Sequence, residues 1–456
     1  MAASAVCAPL GGCRQVHHAV CEPERIYCLG PLAQTCRQDG ESYDEEDCAA
    51  LGKVCHPGLG CTSCHPGALS CQGQTVVACQ GNGETLVPVT TCDASTNEVC
   101  FLGNCVDACR QASENRSYVG CEYWAVDLDN AVISSVFNAA AQQFAVVVSN
   151  PGTLPATVRV ERNDAPPGWP LAVVEVVRID LPPQGLRVIN LAPREVDGSA
   201  PGTYNTGTHT ALTSNAYRVV SNVPIIAYQF SPLDNVQVFS NDASLLVPTS
   251  ALDGEYLVMG WPQTIAVTND PNTNFHSNLR AFLTIVGIET GTDVSVELST
   301  AIVGSESIPA RAAGETIDMS LGPFDVLNLE TGDFGADFTG TRIKADRPVA
   351  VFSGSEASDV PMFDSLAFRY CCADHLQHQL FPVTSAGSRF VVARMPSRTK
   401  AVKEAGGEVS IVEETDWVRI LATENNTQVV TSLPPPDDRF QLDAREHVTL
   451  PASCDF

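Results

Sequence analysis

The sequence is poor in lysine and contains no long apolar run. Only four of its 456 residues are lysine, and 26 Lys+Arg face 53 Asp+Glu, which gives a formal net charge of −27. A surface of this charge repels nucleic-acid phosphates and anionic membranes. No run of 18 or more apolar residues is present to cross a bilayer as a helix. The composition therefore predicts neither a nucleic-acid-binding protein nor a membrane-spanning one.

The sequence also lacks the common catalytic and cofactor-binding motifs. It contains no G-x-S-x-G nucleophile elbow, no P-loop, no G-x-G-x-x-G and no H-E-x-x-H. We therefore expect no catalytic residues, no cofactor and no metal site.

Cysteine is abundant and concentrated at one end. Fifteen of the 19 cysteines lie at or before Cys109, a density typical of disulfide-stapled proteins in oxidising compartments. This predicts an extracellular protein or one on the outer cell surface. Residues 1–27 form a possible processing or anchor region, in which Leu10-Gly11-Gly12-Cys13 resembles a lipobox that would acylate Cys13; the alternative is that Cys13 is another disulfide partner. Because 19 is odd, at least one thiol is free, lipidated or shared between chains.

Twelve of these cysteines form two similar modules, residues 28–64 and 71–109. Their starts lie 43 residues apart, and Asp39-Gly40 and Asn82-Gly83 occupy matching positions, where each predicts a type I′ hairpin turn. Zinc is the competing interpretation, because Cys61-x2-Cys64 and Cys105-x3-Cys109 have ligand-like spacing. The second module contains no histidine, which favours disulfides.

The hairpins predict specific disulfide partners. If Asp39-Gly40 is a two-residue loop, residues whose numbers sum to 79 lie opposite each other in that hairpin. For Asn82-Gly83 the corresponding sum is 165. Cys28 then lies near Cys48, and Cys71 lies near Cys92. We therefore predict the bonds Cys28–Cys48 and Cys71–Cys92.

After a linker at 110–122, residues 123–456 are rich in Val, Ile, Thr and Phe in short runs, which predicts an all-β fold. Three similar segments begin at Phe144, Phe282 and Trp417 and predict tandem β-sandwich-like repeats, with a propeller-like arrangement as the alternative. The first two copies also contain an Asn or Asp two residues before a proline that we expect to open a strand. The third copy ends before this element, which predicts that the last repeat is truncated. Short helices are predicted at 131–143 and 373–380.

A cluster of polar residues near position 375 suggests a second function. Asp374, His375 and His378 follow Cys371 and Cys372, and on a helix the two histidines would share a face and could bind zinc or transfer protons. The alternative is a structural role for His375 at a helix start and a disulfide at Cys371 or Cys372. The rival to a binding function is therefore a secreted metal-dependent hydrolase that uses this cluster.

Two further patterns have structural interpretations. The sequence Asp127-x-Asp129-Asn130 is similar to the opening of a calcium loop but lacks its glycine and distal glutamate, so we interpret it as a turn after a strand. The four tryptophans could be exposed rings that stack on a ligand, but in strands they more often belong to the core. They are Trp124, Trp169, Trp261 and Trp417.

Four segments carry a family resemblance: CEYWAVDLDN (121–130), VVSNVPIIAYQFSPL (219–233), DASLLVPTSAL (242–252) and DHLQHQLFPVTSAGSRFVV (374–392). They resemble the blocks of the IgG Fc-binding protein N-terminal domain, whose bacterial, myxobacterial-type versions follow similar cysteine-rich modules. The resemblance implies a secreted or cell-surface binding or adhesion protein that contacts an extracellular protein or glycan. It does not imply that immunoglobulin is the ligand, because a shared fold does not carry a ligand.

Overall fold

The computed structural model describes residues 20–200, 207–234, 236, 238, 241–268, 277–363, 369, 373–412 and 414–452. It is nearly all-β, with 44% strand and 7% helix, which confirms the predicted fold class. The chain divides into two compact units, one ending at Gln111 and the other beginning at Ala112. Cys13, the candidate lipidation site or disulfide partner, lies outside the described residues.

The first unit is built from short hairpins. The strands pair as β1-β2-β3, β4-β5, β6-β7-β8 and β9-β10. Their bounds are β1 Ile26–Leu29, β2 Leu32–Cys36, β3 Tyr43–Asp47, β4 Val54–His56, β5 Gly60–Thr62, β6 Leu69–Gln72, β7 Thr75–Cys79, β8 Leu86–Thr91, β9 Glu98–Phe101 and β10 Asn104–Asp107, followed by helix α1 Ala108–Asn115.

Six disulfides connect these hairpins in a repeated pattern. Sequence separations of 15, 27 and 13 residues in the first set recur as 15, 29 and 13 in the second, with Cα–Cα distances from 5.1 to 5.9 Å. Cys64 bonds to Cys79, so the disulfide-linked sets begin at Cys21 and Cys64 and do not coincide with the predicted modules 28–64 and 71–109. The bonds are Cys21–Cys36, Cys28–Cys55, Cys48–Cys61, Cys64–Cys79, Cys71–Cys100 and Cys92–Cys105.

The predicted bonds Cys28–Cys48 and Cys71–Cys92 are wrong, although all four cysteines are disulfide-bonded. The hairpin register was correct, since Cys36 pairs with Tyr43 and the two numbers sum to 79. However, the chain turns once more at Gly30, where φ is 59°, so Cys28 lies on β1 opposite Ala33 instead of extending β2. The same extra turn, at Gly73, places Cys71 on β6.

The turns themselves also differ from the predicted type I′ geometry. Gly40 and Gly83 have φ of 70°, but neither Asp39 nor Asn82 has a positive φ. The Gly40 N–H donates to the Arg37 carbonyl at 2.9 Å, which makes a four-residue loop about the same centre. Because the centre is unchanged, the register is the one that a two-residue loop would give.

The second unit contains two large sheets and two smaller ones. Its strands are β11 Gly120–Ala125, β12 Ala145–Ser149, β13 Ala156–Asn163, β14 Val173–Leu181, β15 Leu186–Asn190, β16 Ala211–Thr213, β17 Tyr217–Ser231, β18 Asp242–Leu245, β19 Asp253–Leu257, β20 Ala281–Gly287, β21 Thr292–Glu297, β22 Ile302–Val303, β23 Thr316–Leu321, β24 Val326–Thr331, β25 Arg342–Ser358, β26 Asp374–Gln379, β27 Asp416–Leu421, β28 Thr427–Val430, β29 Arg439–Leu442 and β30 His447–Ala452, with helix α2 at Arg398–Glu404.

The two large sheets share one strand order. The first runs β14-β13-β17-β12-β15, with β11 and β18 also pairing on β17. The second runs β23-β21-β25-β20-β24, with β19 and β26 on β25 and β16 added beyond β24. Each sheet curls as a half-barrel. The matching order supports the prediction that the segments from Phe144 and Phe282 are copies of one unit.

The third segment forms two separate two-stranded sheets, β27-β30 and β28-β29. These pairs correspond in order to β20-β24 and β21-β23 of the second copy. Among the described residues, no counterpart of β25 joins them. Residues 453–456, which contain the predicted end of the third repeat, lie outside the described part of the chain.

The Asx-x-Pro element lies inside a long strand and does not open one, which corrects the prediction. Strands β17 and β25 continue through Pro224 and Pro348. At the proline, the register of strand pairing shifts by the same amount in both copies. The shift lies between Gly120 and Glu122 of β11 in the first copy, and between Asp253 and Glu255 of β19 in the second. Proline lacks an N–H, so an irregularity in the ladder is where a strand can accept it.

The Asn or Asp of this element binds a neighbouring strand. Asn222 Oδ1 accepts the Thr157 N–H at 2.6 Å, and Asp346 Oδ1 accepts the Asp293 N–H at 2.9 Å. Each acceptor follows the last residue that pairs with that neighbour, Ser221 or Ala345. The side chain therefore satisfies a backbone donor just beyond the end of the ladder.

Neither predicted helix forms. Within 131–143 the chain makes bends and a single bridge between Val132 and Asn138. Residues 374–379 form β26, which pairs with β25 and buries alternate side chains. Strand pairing and burial thus outweigh the local preferences that suggested a helix.

Candidate metal centre

The predicted cluster at Asp374, His375 and His378 is not assembled. Because these residues lie on a strand, positions three apart face opposite sides of the sheet. His375 is buried, with 2% of its surface exposed, whereas Asp374 and His378 are exposed. Burial lowers the pKa of His375 to about 4. Cys371 and Cys372 lie outside the described residues.

The structure assembles a different set of ligand-type side chains, Asp129, His209 and Glu330. One ligand atom from each lies within 4.8 Å of the other two, and all three residues are buried. His209 Nδ1 lies 2.6 Å from Asp129 Oδ2 and 3.8 Å from Glu330 Oε1. This combination of one imidazole and two carboxylates is a donor set that metal ions use in proteins.

Three parts of the fold converge on this cluster. Asp129 belongs to the buried segment that follows β11 in the first copy. His209 precedes β16, the short strand that joins the second sheet by pairing with β24. Glu330 lies on β24, so the cluster connects the first copy to the second.

Backbone contacts fix the two sides of the cluster against each other. The His209 N–H donates to Glu330 Oε2 at 2.7 Å, and Asn328 Nδ2 donates to the His209 carbonyl at 2.9 Å. The Glu330 N–H donates to Thr210 Oγ1 at 3.2 Å. The positions of the imidazole and the Glu330 carboxylate are therefore set by β16 and β24.

Acidic side chains are unusually concentrated around the cluster. Asp127, Asp129, Glu195, Glu330 and Glu356 are all at most 9% exposed. Isolated buried carboxylates are costly unless a proton, a basic group or a cation neutralises them. A positive charge lies beside the cluster at Arg280, whose Nε is 3.6 Å from Glu330 Oε2.

The pKa values of four of these acids are raised, because several negative charges are buried close together. Burial raises the pKa of Asp127 to about 7, of Glu195 to about 9 and of Glu356 to about 8, and the charge of Asp129 adds to each rise. Burial and the same charge hold the pKa of Glu330 well above its ordinary value. The negative charge of Asp129 therefore contributes to the raised pKa of each of the other four acids.

The pKa values of Asp129 and His209 shift in the directions opposite to those that burial alone would produce. Burial alone would raise the pKa of Asp129, but the positive charge of His209 outweighs it and lowers this pKa. Burial alone would lower the pKa of His209, but Asp129 raises it to about 11. Without a cation, the two groups form a buried ion pair.

Sequence reasoning missed most of this site. Asp129 was noticed in a calcium-loop-like pattern, but that pattern was interpreted as a turn. His209 and Glu330 lie 121 residues apart in the chain and belong to no local motif. Only the pairing of β16 with β24 brings them together.

The tryptophans divide between core and surface. Trp124 is fully buried, and Trp261 and Trp417 are half-buried. Trp169 is 69% exposed on the loop before β14. Exposed apolar residues of the same loop and of the edge strand β14 extend this surface: Leu171, Val173 and Val174.

Comparison with known proteins finds a family that is similar to the C-terminal part of the chain. Residues 242–456 match the family model described as IgGFc binding protein. These residues are similar to the IgGFc-binding protein family. The match confirms the resemblance on which the sequence analysis relied, although a bacterial origin stays a prediction.

A curated protein that is similar to this chain is the human IgGFc-binding protein. The two are 28% identical over 168 residues, which is 36% of this chain and 3% of the human protein. The chain therefore matches a small part of that relative's length. No solved structure matches the chain. Among the described residues, no helix is long and apolar enough to cross a membrane.

Proposed function

We propose that this protein is a non-catalytic binding or adhesion protein that acts outside the cell, secreted or on the outer cell surface. The observation that supports the proposal is the match of residues 242–456 to a family model described as IgGFc binding protein. The disulfides support the location, because all 14 cysteines among the described residues are bonded, including Cys109 and Cys121. Stable disulfides of this density are typical of oxidising compartments.

The surface around Trp169 is the contact that we propose for the ligand. An exposed tryptophan offers a large amphipathic ring to a protein or a glycan at a low cost in conformational entropy. Among the described residues, strand β14 pairs only with β13, so its other edge is unpaired, and Val173 and Val174 on it are exposed at 42% and 40%. Such an edge can bind an extended chain by adding a strand, whereas a glycan would stack on the ring.

An array of extracellular proteins and glycans, probed with the intact chain, tests this proposal. We expect selective binding to a small group of array members. Binding should weaken at least about tenfold in Trp169→Ala, since loss of a central aromatic contact costs about 2 kcal/mol or more. Phe390→Ala is the matched control, because Phe390 is 73% exposed on a different loop.

Two results would contradict the proposal. Absence of any binding by the intact, disulfide-bonded chain would contradict the binding function itself. Equal binding by the Trp169→Ala and wild-type proteins would contradict the assigned surface but leave the function in place.

A further inference from the structure

We propose that Asp129, His209 and Glu330 bind one divalent metal ion of the zinc class, which ties the first copy of the β unit to the second. The inference is independent of the proposed binding function. It departs from the expectation of no metal in the sequence analysis, because the sequence shows no motif for these residues.

Unsatisfied polar atoms point to a ligand within the cluster. Asp129 Oδ1 and Glu330 Oε1 are buried, and no N–H or hydroxyl group among the described residues donates a hydrogen bond to either oxygen. The exposed fraction of each side chain is 8% or less. Buried polar atoms of native proteins are nearly always satisfied, so two such oxygens beside the His209 Nδ1 atom suggest an ion that completes their coordination.

The donor types select the class of metal. Calcium and magnesium prefer all-oxygen sites, whereas imidazole nitrogen favours zinc and related transition metals. One nitrogen and two carboxylate oxygens fit Zn²⁺, which is typically four-coordinate. A water molecule or the second oxygen of Asp129 or Glu330 would supply the fourth ligand.

The present geometry needs only a small adjustment. Two ligands that are each about 2.1 Å from a tetrahedral zinc lie about 3.4 Å apart. The 3.8 Å between His209 Nδ1 and Glu330 Oε1 is close to this separation, whereas the 2.6 Å between His209 Nδ1 and Asp129 Oδ2 is that of a hydrogen bond. Binding would therefore replace the proton on Nδ1 and release it to solvent, and the imidazole and Asp129 would separate by less than an ångström.

The ion would also neutralise the surrounding acids. Asp127, Glu195 and Glu356 are buried as well, each at 9% exposure or less. A divalent charge at Asp129 would offset the repulsion among these buried carboxylates.

The role of the ion is structural, because the cluster is closed to solvent. Asp129 and Glu330 have no exposed surface, so a substrate could not reach an ion held between them. Closed sites of this kind stabilise the folded state, since the ion binds the folded chain and not the unfolded one. We therefore expect the ion to survive dialysis and its removal to loosen the contact between β16 and β24.

The metal content of the intact protein tests this inference. Protein produced with added Zn²⁺ is dialysed at length and analysed by mass spectrometry for bound metals, with melting temperature recorded with and without a strong chelator. We expect about one equivalent of zinc per chain and a melting temperature that falls with chelator and recovers with Zn²⁺. His209→Gln and Glu330→Gln should lose the zinc, and His378→Gln, an exposed histidine on β26, should retain it.

Several outcomes would overturn the inference. One is a wild-type protein without stoichiometric metal and without a chelator effect on its melting temperature. Another is zinc that His209→Gln retains at the wild-type amount, which would assign it to surface groups. Binding of Ca²⁺ that is unaffected by His209→Gln would also contradict it. If the His209→Gln and Glu330→Gln proteins do not fold, the wild-type metal content and chelator response still decide the question.

Discussion

Two tyrosines make equivalent contacts in the two copies of the β unit. Tyr123 on β11 accepts the Gly120 N–H at 2.7 Å and donates to the Ile225 carbonyl. Tyr256 on β19 accepts the Asp253 N–H at 3.3 Å and donates to the Val349 carbonyl at 2.8 Å. Each carbonyl belongs to the residue that directly follows the proline of the long strand. Each tyrosine hydroxyl therefore forms hydrogen bonds with a backbone N–H and a backbone carbonyl at the point where the register of strand pairing shifts.

Removal of either hydroxyl should destabilise the fold. Tyr123→Phe and Tyr256→Phe each leave a buried carbonyl without its donor, which costs about 1–3 kcal/mol. Tyr228→Phe is the control, because Tyr228 is 38% exposed. Urea unfolding measures the free energies, and equal stability of all three variants would contradict the role of the two hydroxyls.

The Glu414 carboxylate accepts backbone hydrogen bonds from the first residues of helix α2. Its Oε1 accepts the Thr399 N–H at 2.7 Å and its Oε2 accepts the Arg398 N–H at 2.9 Å. These two backbone hydrogen bonds lower the pKa of Glu414 from 4.5 to about 2. The charged carboxylate is therefore the form that the first turn of the helix stabilises.

The stabilising contribution of Glu414 should depend on pH. Because its folded pKa lies below its unfolded value, the contribution is complete above pH 4.5 and is lost as the pH falls towards 2. The amide resonance of Thr399, followed by NMR, should titrate with a midpoint near pH 2. Glu414→Gln should remove that titration, and a wild-type midpoint near 4.5 would contradict the assignment.

At the scale of elements, the cysteine hairpins show which parts of a small module the sequence determines. The Asp39-Gly40 turn predicted the correct register, because a loop centre is a local property. The disulfide partners depend on how many times the chain turns, and the additional turn at Gly30 was not recognised. Local turn chemistry was therefore predictable, whereas the packing of three hairpins was not.

The observed disulfide pattern can be checked directly. Peptide mapping of non-reduced protein should recover Cys28 linked to Cys55 and Cys71 linked to Cys100. A peptide that links Cys28 to Cys48 would contradict the structure.

Loss of single bonds measures what each contributes. Removing Cys92–Cys105 by paired serine substitution should cost about 3 kcal/mol, because the bond closes a loop between residues 13 positions apart. Removing the equivalent Cys48–Cys61 bond should cost a similar amount. Pulse proteolysis in urea measures both, and a loss below about 1 kcal/mol for each would contradict a dominant role for the bonds.

At the scale of the whole molecule, an arginine attaches the third segment to the second copy. Arg419 on β27 donates to the Gly260 carbonyl at 2.7 Å, Asp337 Oδ2 at 2.6 Å and Thr339 Oγ1 at 2.9 Å. Its guanidinium also stacks over the Trp261 ring at 4.4 Å. All three hydrogen bonds come from Nη1, and Nε donates separately to Thr449 Oγ1 at 3.0 Å, so the planar guanidinium donates hydrogen bonds and stacks at the same time.

Arg419→Lys should therefore loosen the third segment. Lysine keeps the charge but has neither a second nitrogen for Thr449 Oγ1 nor a planar group to stack on Trp261, a loss on the order of 2 kcal/mol. Hydrogen exchange in β27–β30 should become faster, whereas exchange in β20–β25 should change little. Arg439→Lys, at an exposed position on β29, is the control, and equal exchange rates in both variants would contradict the attachment.

The repeated architecture was predictable because each copy repeats the same local signals. The segments from Phe144 and Phe282, together with the Asx-x-Pro pattern, specify strands in the same order, and the sheets have that order. The candidate metal centre was not predictable in the same way. His209 and Glu330 meet only because β16 leaves its own copy and pairs with β24, a long-range contact that no local pattern encodes.

The central claim is that the chain binds an extracellular protein or glycan without changing it chemically. The most direct measurement isolates the complex with a ligand found on the array, releases the ligand after prolonged incubation and compares its mass with that of untreated ligand. We predict a saturable complex and a ligand of unchanged mass. A released ligand that has been cleaved, in amounts exceeding the protein present, would show turnover and contradict the account.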